Sequence, residues 1–160
     1  MKKIKTNAMR ILDQYNIFYH IHEFKIGKEH IEGYKVAELI HQPVEKVFKT
    51  LVLTNSQNEY FVFVIPITKH LNMKKASKVV GQKKLELLPL NELTKVTGYI
   101  RGGCSPIGMK KAYQTVIDCE VKNLSTFIIS AGKRGLQMEV NPLDLEKVIS
   151  LQIDDVTNNN

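Results

Sequence analysis

Two apolar runs, VFKTLVL from Val47 to Leu53 and YFVFVIP from Tyr60 to Pro66, narrow most what this chain can fold into. Each is short for a buried helix and rich in β-branched and aromatic residues. Only the polar TNSQNE separates them, so they read as an antiparallel pair of largely buried strands. One residue breaks the pattern. The side-chain period of two puts Lys49 on the same strand face as Val47, Leu51 and Leu53, where an unpaired ammonium is costly. Lys49 is therefore either a lysine near a strand end whose stem snorkels to water, or a cation that holds a substrate phosphate or carboxyl group in a pocket.

Segments with helical spacing supply the cover such strands need. NAMRILDQY places Ala8, Ile11, Leu12 and Tyr15 on one face, with Thr6 or Asn7 as N-cap and an end near Asn16. YKVAELIH is a short helix closed by Pro43, and NMKKASKVVG has Asn72 as cap and Gly81 as stop. PLNELTKVTG begins with Pro89 and ends with Gly98, and NPLDLEKVIS begins with Asn141 as cap and Pro142 at the first helical position. IFYHIHEF, TVIDCEV, STFIISAG and LQMEV read as further strands. No repeat and no Gly-, Ser- or Pro-rich linker divides the chain. The expectation is one α+β domain over residues 1–160, a mixed and mostly antiparallel sheet flanked by helices, with a frayed tail from about residue 154.

The chain carries 23 Lys and Arg against 16 Asp and Glu, a formal charge of +7, which favours a polyanionic partner. No apolar run approaches the roughly 18 residues of a membrane span, so a cytoplasmic protein with no membrane partner is expected. Cys104 and Cys119 fit neither a metal spacing nor a C-x-x-C pair and read as free thiols. His20 and His22 share a strand face without a third ligand of suitable spacing, so no metal and no cofactor is expected. No Ser, His and Asp set can be nominated.

Positive charge and backbone freedom coincide in TGYIRGGCSPIGMKK, Thr97 to Lys111, which holds four of the nine glycines. Exposed N–H groups in such a loop can form an anion site, and the same composition also suits a wide turn between strands. Gly103 and Gly108 have the G-x-x-x-x-G spacing of a phosphate loop, but Met109 and Lys110 stand where Lys and Ser or Thr are required. A dinucleotide fingerprint is absent. What remains is a surface of backbone donors at Gly102 and Gly103, followed by Ser105 and Pro106. SAGKRGLQ, Ser130 to Gln137, repeats the design, and two such loops suggest one pocket at neighbouring strand ends, although an ordinary hairpin at Gly132 also fits.

Taken in order, KTNAMRILD, VFKTLVL, GQKK, TGYIRGGCSPIGMKK and SAGKRGLQMEV resemble the YbaK/EbsC family of aminoacyl-tRNA deacylases, relatives of the editing domain of bacterial prolyl-tRNA synthetases. The resemblance runs from about Lys5 to about Leu151. It implies a mixed sheet partly closed into a barrel, and a free-standing hydrolase that removes a wrong amino acid from the terminal ribose of tRNA, foremost cysteine from tRNA(Pro). The implied partners are mischarged tRNA and prolyl-tRNA synthetase. By the same likeness Lys49, Gly102 and Gly103 are catalytic, while Phe24, Thr50, Ser105, Pro106, Ser130, Gly132 and Gln137 contact the substrate. In cysteine-specific members the thiol of the substrate is thought to attack the ester, so no protein nucleophile is called for. Many cysteine-specific relatives carry an acid where this chain has Gln137 and a tyrosine where it has Phe24. Two other readings stay open: a catalytically silent tRNA-binding or synthetase-associated module, and a thiol redox protein using Cys104.

Overall fold

The computed structural model describes residues 5–158. Helix α1 (Asn7–Gln14) starts at Thr6, whose hydroxyl accepts from the Met9 amide, and buries Ala8, Met9 and Leu12. Strand β1 (Tyr19–Glu23) and helix α2 (Gly33–Leu39) follow. β2 (Phe48–Thr54) and β3 (Tyr60–Pro66) are the two apolar runs and pair antiparallel along their whole length, Phe48 opposite Pro66 and Thr54 opposite Tyr60. Next come β4 (His70–Leu71), α3 (Met73–Val79) capped by the Asn72 side chain, β5 (Glu86–Leu87) and α4 (Leu90–Thr97), which ends at Gly98 with φ +88°. The remaining strands are β6 (Gln114–Asp118), β7 (Phe127–Lys133), β8 (Leu136–Val140), β9 (Leu151–Asp154) and β10 (Thr157–Asn158).

Among the described residues the strands form three sheets, ordered β5-β2-β3-β6-β9, β1-β8-β7 and β10-β4. Only the β3–β6 and β6–β9 pairs are parallel within them. The expected partial barrel is not found. Val47, just before β2, makes one isolated parallel bridge to Ile128 of β7, and β7 bulges between Ser130 and Lys133, so among the described residues the two larger sheets touch at a corner and do not zip together.

Alternation along β2 sends Phe48 and Val52 into the large core, with α1, Phe127 and Met138. The opposite face is covered in two pieces. α2 packs Val36, Ala37 and Ile40 on Val47 and Ile128, while α3 packs Ala76 on Leu53, Phe61 and Ile65.

Three local expectations are corrected. TVIDCEV is a strand only to Asp118, because that carboxylate accepts from the Glu120 amide and turns Cys119–Asn123 into a 3₁₀ segment. Pro142–Lys147 is also 3₁₀ and not an α-helix, with Asn141 accepting from Leu143. The tail does not fray at residue 154. Val156 is fully buried, its amide and the Thr157 hydroxyl donate to Asp118 Oδ1, and β10 pairs with β4. Asp118, Cys119 and Asp155 gather their ligand-type atoms within 4.8 Å, yet both Asp118 oxygens are occupied by these bonds and Asp155 is paired with Lys75. The group anchors the tail. Val156→Ala is expected to lower stability by roughly 1–3 kcal/mol, read as a fall of several degrees in melting temperature. An unchanged melting temperature would contradict a docked tail.

Candidate active site

Lys49 emerges in the gap between the two helical covers. Its neighbours two residues away on the same face are Val47, under α2, and Leu51, beside α3. Directly across on β3 lies Ile65, fully buried. A lysine is tolerated in this apolar row because the residue is exposed there, so its ammonium keeps its contact with water. Lys49 is exposed and has no ion-pair partner among the described residues.

The parallel bridge from Val47 to Ile128 carries this face into the second sheet. Two residues further along both strands, in the same direction, stand Lys49 and Ser130. Ser130 is opposite Gln137, and Gln137 is opposite His22, so these three share the face as well. Gln137 is buried, and Phe24 packs at the edge of the cluster under α2. Thr50 is not brought here. It alternates to the opposite face between Phe48 and Val52, where its hydroxyl is buried without a hydrogen-bond partner.

The two glycine-bearing loops converge at one end of this face. A β-carbon on Gly103 would lie 3.0 Å from the Arg134 amide nitrogen and 3.1 Å from two Lys133 backbone atoms, so only glycine lets the backbones approach so closely. Gly102 has φ +82° at the third position of the Ile100–Gly103 turn, the conformation a type II turn demands there. The amide of Gly103 closes that turn on the Ile100 carbonyl at 2.9 Å, so it is spent within the loop. The Gly102 amide has no backbone acceptor among the described residues. Of the expected pair of donors, Gly102 is the open one, while Gly103 sets the approach of the loops.

Ser130 Oγ accepts from the Gly132 amide at 3.2 Å. Ser105 is fully buried and accepts from the Ile107 amide, and Pro106 is buried beside it, so both shape the loop from inside. Burial pushes the Cys104 thiol up to about 11, which keeps it protonated at neutral pH.

Several site residues escaped sequence reasoning because their partners are remote in the chain. Arg134 donates to the Glu29 carbonyl at 2.7 Å and tethers the segment before α2. His30 comes so close to Gly102 that a β-carbon there would meet its Nδ1 at 3.7 Å. Two residues along from Gln137 on the same strand face, Glu139 binds His22 Nε2 at 2.9 Å, the Lys46 ammonium at 2.5 Å and the Thr126 hydroxyl at 2.5 Å. The alternation in LQMEV marks Glu139 as a neighbour of Gln137, but nothing local announces these partners.

An exposed ammonium without an ion-pair partner among the described residues, together with closely packed glycine-built loops on the neighbouring sheet, is an arrangement suited to a protein that handles anionic ligands. Residues 32–148 match the model of the aminoacyl-tRNA editing domain, and the chain belongs to that family of aminoacyl-tRNA deacylases. It is 44% identical over 147 residues to EbsC of Enterococcus faecalis, named as a candidate Cys-tRNA(Pro)/Cys-tRNA(Cys) deacylase, covering 92% of this chain and 88% of that one. It is also 32% identical over 109 residues to a proline–tRNA ligase of Cupriavidus taiwanensis, covering 66% of this chain but only 19% of the ligase. The fold matches a crystal structure described as that of a candidate trans-editing enzyme for prolyl-tRNA synthetase, with a TM-score of 0.81, 18% identity and coverage of 98% and 99%. The crystal structure of the protein APE2540 matches with a TM-score of 0.84, 19% identity and coverage of 96% and 100%. No helix among the described residues is long and apolar enough to cross a membrane.

Burial alone would raise the Glu139 carboxyl, but the hydrogen bonds from Lys46, Thr126 and His22 outweigh it and bring it down to about 2 from an ordinary 4.5. A carboxylate with a lower pKa folded than unfolded stabilises the fold above its unfolded value, and the benefit fades as pH falls toward the folded value. Wild type is therefore expected to lose stability between about pH 4.5 and about pH 2, in part through this group. Glu139→Gln should be less stable at pH 7, with a flatter acid limb in a denaturation series. An acid limb identical to that of wild type would show that the network is not formed.

Proposed function

We propose that the chain is a trans-editing hydrolase that takes the 3′ end of a mischarged tRNA into the groove at Lys49 and cleaves the aminoacyl ester, with Cys-tRNA(Pro) as the foremost substrate. What supports the reading is a Lys49 ammonium without an ion-pair partner and a Gly102 amide without a backbone acceptor among the described residues, beside a glycine loop whose own side chains are poor nucleophiles. Ser105 is fully buried, and the Cys104 thiol is protonated. Such a site works by holding and by charge. Lys49 grips a phosphate or the terminal ribose, and the Gly102 amide donates to the oxyanion that develops on the ester carbonyl. With cysteine as the wrong amino acid, its sulfur attacks its own carbonyl carbon. The ribose oxygen departs with the thiol proton, and water then opens the strained thioester ring to free cysteine. Orientation of an internal nucleophile of this kind can lower a barrier by roughly 7 kcal/mol or more.

The second reading, a silent tRNA-binding or synthetase-associated module, is favoured by Gln137 and Phe24, which stand where the family resemblance implies a carboxylate and a hydroxyl in cysteine-specific members. Turnover separates the two. Cys-tRNA(Pro), Ala-tRNA(Pro) and correctly charged Pro-tRNA(Pro) are supplied with wild type, Lys49→Ala and Gly103→Ala. Wild type is expected to deacylate at least one mischarged species and spare Pro-tRNA(Pro). Lys49→Ala should be slower by about 10²-fold, the usual scale for losing one charged or donor group at such a site. Gly103→Ala should lose rate because the added carbon drives the loops apart, without loss of the fold. No hydrolysis of any mischarged species by wild type would leave the silent module standing.

A further inference from the structure

The face from which Lys49 emerges continues under α3, and beyond it lies a second concentration of charge that the groove does not use. Lys74 and Lys78 are exposed one turn apart on α3. Gly81, with φ +69°, then turns the chain, and β5 pairs with the far end of β2. The turned segment and the β2–β3 turn enclose about 400 Å³ of open space, with Lys83 and Lys84 exposed on its lining. This cleft is built and not a gap between loose loops. Asn55, buried, donates to Gln82 Oε1 at 3.0 Å and accepts from the Gln57 and Glu59 amides, while the Gln82 amide donates to the Ser77 carbonyl at 2.8 Å.

Charge pairing separates these lysines from their neighbours. Lys69 is paired with Glu120 and Lys75 with Asp155, whereas Lys74, Lys78, Lys83 and Lys84 have no ion-pair partner among the described residues. Of the two acids nearby, Glu86 lines the cleft and Glu59 is held by Asn55. From Lys49 to Thr54 at the cleft is five strand residues, about 17 Å. A tRNA presents its unpaired end first and a rigid duplex a few nucleotides behind it. Double-stranded RNA is bound mostly through its shape, phosphates and 2′-hydroxyls.

We propose that Lys74, Lys78, Lys83 and Lys84 form a track for the phosphate backbone of the acceptor stem, aligned so that the 3′ end enters the groove at Lys49. This rests on the editing reading above and adds to it where the duplex lies. The track holds RNA of any sequence, because the lysines meet phosphates and not base edges.

The test uses the full chain with Lys78→Ala, Lys83→Ala and Lys84→Ala combined, and the same three positions changed to Arg. Affinity is measured for an acceptor-stem minihelix across a salt series, and rate on a short aminoacyl-adenosine. The alanine variant is expected to bind the minihelix at least 10-fold more weakly, with a salt slope reduced by about 2–3 at roughly 0.9 per phosphate. The arginine variant should bind as wild type, and both should cleave aminoacyl-adenosine at the wild-type rate. Unchanged minihelix affinity would overturn the track and leave the deacylase reading intact. Loss of minihelix binding alongside a wild type that cleaves nothing would keep the RNA track and overturn the deacylase. Binding to phosphatidylserine-containing vesicles without binding to the minihelix would overturn the assignment to RNA.

Discussion

Everything at the site depends on an interruption in how one sheet face is covered. Burying the odd-numbered side of β2 requires helices, and the chain supplies two short ones, α2 over Val47 and α3 over Leu53, with Lys49 between them. A continuous cover would have forced an apolar residue at that position or an unpaired buried charge. The break removes that penalty and leaves the cation exposed on that face. Under the proposed function, stability and activity use the same feature of the packing, since the position opposite the buried Ile65 is left exposed and carries the unpaired cation.

The opposite side of the groove is set by backbone conformation and less by side-chain chemistry. Gly102, at positive φ, has an amide without a backbone acceptor among the described residues, and the missing β-carbon at Gly103 brings Lys133 and Arg134 within van der Waals reach. Ser130, in register with Gln137 and His22, joins these loops to the sheet. Below, Glu139 gathers Lys46, Thr126 and His22, tying β1, β8 and the approach to β2 into one bracket. A site that acts by positioning needs such a rigid frame more than it needs a reactive side chain.

Much of this was legible in the sequence, and the losses have identifiable causes. The β2–β3 pair, α1 with its Thr6 cap and α3 with its Asn72 cap are encoded by local periodicity and capping, which act over a few residues. The anomaly of Lys49 was visible for the same reason. Pairings between remote segments were not visible. The Asp118 carboxylate ends β6 early and also binds Val156 and Thr157, so a tail that looked too polar to be ordered is docked through a partner 38 residues away. The barrel failed because closure depends on how two sheet edges approach, and here they share one bridge. Gly103 was read as a donor because composition cannot tell a free amide from one already bonded to Ile100.

The central claim is that Lys49 and the Gly102 amide serve one ligand. A titration of isotope-labelled protein with an aminoacyl-adenosine whose ester is replaced by an amide, followed by nuclear magnetic resonance, tests it most directly. The account predicts that the Gly102 amide and the Lys49 side-chain signals shift together along one binding curve, and that Lys49→Ala abolishes the shift at Gly102. Shifts confined to residues around Asn55 and Lys84, with Lys49 and Gly102 unmoved, would contradict it.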